Sequence, residues 1–346
     1  MACTKTVLIY SLPFFILFGC GRIHERSIRE GARPRAETES MTGKADTVAV
    51  WVNRHRSSGS VIIGNDKSYM GALYVYDLRG KSIHRSPYLN RPVGVSIRYD
   101  IPLSDGKAVD VVACGIRSTN EIRVFSIDPE TRELTDITTE EGISSGFERD
   151  TYRLCLYKRV SDGQLFAFVS CKKNDHIHQI LLEDDGSGKL KGRLVRKFGR
   201  QEQKSFIEGM VVDDEYGYLY CSDRQNAVLK YRADPRIKKD PFIQAFGVAD
   251  GIRGSRKGLA LYKKGKGQGY LIVSSQGDST FKIYRREGKN RFVKMAVARG
   301  VWKTDGIAAV SSKIPPYYPS GIFVAHNDKD NNFALFDWYS LAGLNR

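Results

Sequence analysis

Short apolar runs alternate with clusters of Gly, Asp, Asn and Pro along most of this chain. Strings such as SVIIGND, VDVVACG, LFAFVSC, YLIVSSQ and GIFVAHN are strand-like and too short for helices. After a hairpin-length gap each is followed by an alternating strand: LYVYDLRG (73–80), IRVFSIDP (122–129), IHQILLED (177–184), VLKYRADP (228–235), FKIYRREG (281–288) and FALFDW (333–338). From Tyr76 to Phe125, Ile180, Tyr231, Tyr284 and Phe336 the steps are 49, 55, 51, 53 and 52 residues. Six equal repeats of that length, none able to bury both faces alone, predict an all-β, six-bladed β-propeller over residues 45–346.

The N-terminus reads differently. Residues 7–18 form an apolar stretch with Lys5 before it, too short to span a bilayer, and residues 1–19 are expected to be a lipoprotein-type signal peptide. Leu17-Phe18-Gly19-Cys20 places Cys20 where lipid acylation requires a cysteine. The expected location is therefore the periplasm or outer membrane of a bacterial cell, with membrane contact through the lipid anchor. Residues 20–44 are mostly polar and charged and are expected to form a flexible tether. Cys114, Cys155, Cys171 and Cys221 show no metal-ligand spacing and are expected as small buried thiols, although export would also permit a disulfide.

The formal net charge of +16 favours an anionic partner: nucleic acid, acidic lipid or a phosphate-rich small molecule. No zinc-knuckle spacing, RNA-binding aromatic signature or basic helix is present, so nucleic acid is not expected. The segments that close the first strand of each hairpin sharpen the choice. GNDKS, CGIRS, SCKKN and CSDRQ place Lys67, Arg117, Lys172 and Arg224 at corresponding points, seven to nine residues before each repeat marker. In a closed propeller those cations share one mouth of the central channel, an arrangement suited to holding several phosphates. A monomer with a phosphorylated small molecule as its partner is expected. His326 and Asn327 could face the same mouth, whereas Asp213-Asp214-Glu215, followed by Tyr216-Gly217, reads as a turn.

From residue 46 to residue 338 the chain resembles the β-propeller phytases, calcium-dependent hydrolases of inositol hexakisphosphate. The resemblance is carried by DTVAVW, SIRYDIPL, FIEGMVVDDEYGYLY, GYLIVSSQGDS, TDGI, YPSGIFVAHND and NNFALFDW, in that order. It implies phosphate-binding roles for Lys67, Arg117 and Lys172, a site tyrosine at Tyr152, and calcium-binding carboxylates at Asp46, Glu208 and Asp305. Glu208, Tyr152 and Asp305 are the implied catalytic groups, and Ca²⁺ the implied cofactor, bridging phosphate oxygens and activating water. Departures from the family pattern remove negative charge beside the site. Arg224 replaces a calcium-binding acid, Ser255 and Lys257 stand where an Asp and a Glu are usual, and Lys303 precedes TDGI. Fewer ions than usual are expected, with Arg224 and Lys257 supplying positive charge to the phosphates directly. Calcium-assisted phosphomonoester hydrolysis of the 3-phytase type is the leading expectation. A non-catalytic phosphate-ester-binding propeller at the cell envelope is the alternative, and a protein-interaction scaffold a third.

Overall fold

In the computed structural model, residues 31–172, 176–199, 205–237 and 239–344 are described. The expected signal peptide and Cys20 lie outside them. Six antiparallel sheets form the blades of a β-propeller. The hairpins legible in the sequence are the second and third strands of each blade, not its first pair. An additional strand precedes each of them and lines the channel. These innermost strands are Ala45–Trp51, Pro92–Pro102, Thr151–Lys158, Ile207–Asp213, Arg256–Lys263 and Ile307–Val310, in blades one to six.

Both faces of every middle strand are apolar because each blade is sandwiched between two others, which explains near-continuous runs such as VDVVACG. Six apolar clusters fill the six blade interfaces. Trp51, Ile63 and Val75 of blade one pack with Val112 and Phe125 of blade two, and Phe281 of blade five with Phe323 of blade six. Complete burial of a side chain such as Phe125 stabilises by about 1.5–3 kcal/mol. Cys114, Cys155, Cys171 and Cys221 are buried within or against these layers. Burial pushes the thiols of Cys114 and Cys155 far above the usual range, so they serve as small apolar packing groups.

Blade six takes its outer strand from the other side of the sequence. Ala36–Glu37 pairs antiparallel with Asn332–Asp337, with Ala36 opposite Leu335. Met41 is buried in the cluster between blades six and one, and the Asn331 amide donates to the carbonyls of Met41 and Gly43 at 2.7 and 2.8 Å. Residues 32–44 therefore do not run as a tether, and the propeller begins near residue 32. Their polar side chains concealed this because the attachment is made through the backbone: Arg35 N–H donates to Leu335 O at 2.8 Å and Thr38 N–H to Phe333 O at 2.8 Å. A short helix, Trp338–Ala342, follows blade six, capped by the Asp337 carboxylate, and stacks Trp338 on Tyr262 at 4.0 Å.

Candidate active site

The start of each innermost strand meets the end of the second strand at one mouth of the channel, as the pairings Ala45 with Asp66, Thr151 with Cys171 and Ile207 with Asp223 require. The register shifts at that point in five blades: between Ala45 and Val48, Val93 and Ser96, Thr151 and Arg153, Ile207 and Gly209, and Arg256 and Leu259. Such an irregularity re-aims the side chains beside it. The residues concerned include Asp46, Tyr152, Glu208 and Lys257.

In three of these blades a glycine, Gly94, Gly209 or Gly258, stands in or at the end of this irregular step, and Gly306 holds the corresponding place in blade six, whose register is not shifted; neighbouring strands crowd there. A Cβ at Gly209 would sit 2.2 Å from the Lys257 carbonyl oxygen, one at Gly258 2.7 Å from that of Asp305, and one at Gly306 2.5 Å from that of Asp46. Aligned by blade, the pairs read Asp46-Thr47, Val93-Gly94, Tyr152-Arg153, Glu208-Gly209, Lys257-Gly258 and Asp305-Gly306. Blade three therefore carries an arginine where four others carry glycine.

That arginine closes a ring of alternating charge. Lys67 Nζ lies 2.7 Å from Asp46 Oδ1 and 3.2 Å from Asp305 Oδ2. Lys257 Nζ lies 3.5 Å from Asp305 Oδ1 and 2.8 Å from Glu208 Oε1. Arg153 completes the circuit, with Nη2 3.3 Å from Glu208 Oε2 and Nη1 2.5 Å from Asp46 Oδ2. Each of the six carboxylate oxygens thus faces a cation of the chain itself. Gln276 Nε2 also donates to Asp305 Oδ1 at 2.7 Å, and His326 Nδ1 accepts from the Asp305 backbone N–H at 3.1 Å. Burial alone would raise the Asp46 carboxyl, but Arg153 and Lys67 hold it well below the usual carboxylate range. Burial likewise opposes the charge on Lys67, yet Asp46 and Asp305 raise its pKa above the ordinary lysine value.

Around this ring sits a second tier of cations and rings. The Tyr152 hydroxyl donates to Glu208 Oε2 at 2.8 Å and accepts from Arg153 Nη2 at 3.0 Å. Burial pushes the phenol pKa far up, so it stays a neutral donor. Lys172 lies over the Tyr152 ring at 4.2 Å, Arg224 over Phe206 at 5.1 Å, and Arg117 pairs with Asp150 at 2.7 Å. The Lys172 ammonium pKa is lowered by burial and, against the pull of Glu208, by Arg117, Arg153 and Lys257. Among the described residues of the ring and second tier, the six cations Lys67, Arg117, Arg153, Lys172, Arg224 and Lys257 outnumber by two the carboxylates they face, Asp46, Asp150, Glu208 and Asp305. An anion carrying two or more charges complements that mouth.

Apart from Cys20, which lies outside the described residues, the site residues expected from the sequence lie at this one mouth, several with different partners from those foreseen. Lys67, expected on phosphate, is bound into the ring. Lys257 bridges Glu208 and Asp305, and Arg224 stands 3.8 Å from Glu208. Asp46, Glu208 and Asp305 were expected to hold calcium, but they do not make a ligand set. Among the described residues no group of three His, Cys, Asp or Glu side chains is arranged to hold an ion. The physical reason is the donor chemistry: every carboxylate oxygen that calcium would need is already matched to an ammonium or guanidinium, and Ca²⁺ takes six to eight oxygens. Arg153, Phe206 and Gln276 were missed. The blade-by-blade alignment of the residue after each mouth position would have exposed Arg153; the other two carry no such signal. Asp213 and Asp214 bound a turn and are consumed by Arg286 and Arg98.

Below the ring the channel continues as a cavity of about 400 Å³, with Arg153, Glu208 and Asp305 at one end and Arg98, Asp214 and Lys263 at the other. The Phytase family profile matches residues 20–337. A 3-phytase of Bacillus subtilis (strain 168) is 34% identical over 315 residues, which cover 86% of this chain and 80% of that protein. A solved structure from Bacteroides thetaiotaomicron VPI-5482, provisionally described as a phosphatase, superposes with a TM-score of 0.55 at 10% identity. It covers 88% of this chain and 76% of its own, a likeness that speaks for the fold alone.

Proposed function

Because the chain belongs to the phytase family, we propose that it is a phosphomonoester hydrolase acting on inositol hexakisphosphate or related phosphomonoesters. The observation that carries this reading is the surplus of positive charge at a mouth built by successive blades. Arg117, Lys172 and Arg224 are assigned to the phosphate groups, where guanidinium forks and an ammonium favour multiply charged oxyanions. Tyr152 is assigned as a neutral donor beside them.

In the reaction, water attacks phosphorus while the bond to the ester oxygen breaks. The proton leaving water passes to a mouth carboxylate, and the departing oxygen gains a proton as the alcohol forms. Glu208 is assigned the acceptor role because it contacts Tyr152 and lies at the meeting of both tiers. Asp305 positions Lys67 and Lys257. Fixed cations stabilise charge developing on the transferring group without reorganisation. The calcium assistance implied by the resemblance forms no step here, since the ring carboxylates do not fit the ion.

One observation favours a second reading, a propeller that binds phosphate esters without cleaving them. Their cation partners hold the Asp46 and Asp305 carboxyls below the usual carboxylate range against the effect of burial, which weakens both as proton acceptors. We further propose that the protein is exported and anchored through Cys20, at the periplasm or outer membrane.

Phosphate release from inositol hexakisphosphate by the purified chain, measured beside calorimetric binding, separates the readings. Release that disappears in Glu208→Gln supports the hydrolase. Tight binding with no release, in calcium or in chelator, overturns it in favour of the binding protein.

A further inference from the structure

We propose that Arg153, with Lys67 and Lys257, is a built-in counter-cation that takes the place of divalent metal in the channel throat, so that this site assembles without calcium. The inference concerns the same mouth as the proposed hydrolase and deepens that reading, but its test is independent of catalysis.

Three observations carry it. The first is connectivity. Asp46, Lys67, Asp305, Lys257, Glu208 and Arg153 form a closed circuit in which acids and cations alternate. Three negative and three positive charges cancel, so the throat offers a divalent ion no net attraction and three fixed repulsions.

The second is burial. The Arg153 side chain is 3% exposed, and its guanidinium lies 4.2 Å from the Tyr152 ring centroid while bonding the hydroxyl of the same residue. It is locked between two carboxylates and an aromatic face, unlike a surface arginine free to swing aside.

The third is position. Arg153 follows its mouth residue as Gly209, Gly258 and Gly306 follow theirs. At those three glycines a Cβ would meet the backbone of the next blade, so no side chain enters; at Arg153 a side chain does, and it carries a cation. The planar fork suits two carboxylates at once, which a spherical ion would otherwise have to bridge. Lys257, on the same irregular step of blade five, supplies a second cation to Glu208.

Calcium titrations by calorimetry, and thermal melts in calcium and in chelator, test this on the full chain. The wild-type protein is expected to show no calcium binding tighter than about 1 mM, the weak end of protein calcium sites. Its melting temperature should be the same in calcium and in chelator, because a ligand that does not bind the native state cannot stabilise it. Arg153→Gly combined with Lys257→Glu should open the throat, gain calcium binding by at least about tenfold and melt higher with calcium than without.

Wild-type protein that binds calcium tightly and is stabilised by it overturns the proposal, whether or not the double variant folds. A folded double variant that still ignores calcium also overturns it, since the cations would then not be what excludes the ion. Arg153→Lys, which keeps the charge and loses the fork, should still refuse calcium. The outcomes separate from those of the function. Calcium-dependent phosphate release with calcium bound sinks this inference and leaves the hydrolase standing. No release together with no calcium binding sinks the hydrolase and leaves the inference standing.

Discussion

The two ends of the channel use the same residue types to opposite effect. At the far end Arg98 reaches from blade two towards blades three and four, pairing with Asp214 at 2.7 Å and donating to the carbonyls of Ile97 and Leu156. Lys158 beside it donates to the carbonyls of Tyr99 and Asp100 at 3.0 and 2.8 Å. These cations are satisfied largely by backbone oxygens, which hold them in place as ties between blades. At the mouth the acceptors are carboxylates, the ring is neutral in itself, and Arg117, Lys172 and Arg224 are added around it with Asp150 as a further acid. A cation bonded to carbonyls is structural. Cations in excess of their acids form a binding surface.

The comparison breaks most visibly at the mouth if Asp46 is removed. Asp46→Ala strips Lys67 and Arg153 of a shared buried partner and should cost about 3–5 kcal/mol in chemical denaturation. Acid tests the same residue. A carboxyl whose folded pKa lies below its unfolded value of 3.8 contributes stability that is complete above 3.8 and is lost as pH falls towards the folded value. The wild type should thus lose stability below about pH 4 more steeply than Asp46→Ala, and equal slopes would contradict the buried circuit.

At the far end, Arg98→Met removes the guanidinium from Asp214, which keeps the Lys158 backbone N–H at 3.3 Å, and from the carbonyl of Leu156, and should cost about 1–3 kcal/mol. Binding of inositol hexakisphosphate at the other end should stay within about twofold of wild type, as expected for sites without shared partners. A large loss of affinity would mean that the two ends are coupled.

Lys172→Ala should reverse that profile. We expect folding stability within about 1 kcal/mol of wild type and inositol hexakisphosphate bound about tenfold more weakly, the effect of one hydrogen bond between charged groups. Because the Lys172 pKa is depressed, its positive charge is lost at lower pH than that of an ordinary lysine. As pH rises, wild-type affinity should accordingly begin to fall before pH 10.5 is reached, and the Lys172→Ala profile should lack that limb. An unchanged alkaline limb would assign the effect to another cation.

The residues differ in how much of this they disclose before folding. VIIGND and VDVVACG announce themselves because a strand covered on both sides must be apolar along its whole length. The innermost strands are harder to see. Extra residues at the mouth shift the two-residue alternation, so YRLCLYK reads as an ordinary strand with one outward arginine, although Arg153 is among its most buried members. Arg117, Lys172 and Arg224 were visible in register because each directly follows the last residue of a middle strand, Ile116, Cys171 and Asp223. The ionic circuit was not visible, since it joins residues up to 259 positions apart, from Asp46 to Asp305. Residues 32–44 were misleading for a third reason: a strand added through its backbone leaves little trace in its side chains.

The seam where Ala36–Glu37 joins blade six has a consequence for when the protein becomes competent. Lys67 spans that seam by pairing Asp46 of blade one with Asp305, which leads into blade six. A chain with five blades docked and the seam open would hold Lys67 and Arg153 beside Asp46 while Asp305 remained elsewhere. The circuit would then be unbalanced and the mouth misshapen. Joining segments about three hundred residues apart is entropically slow and belongs to the late stage of folding. The balanced circuit is then the last part of the mouth that the maturing polypeptide assembles.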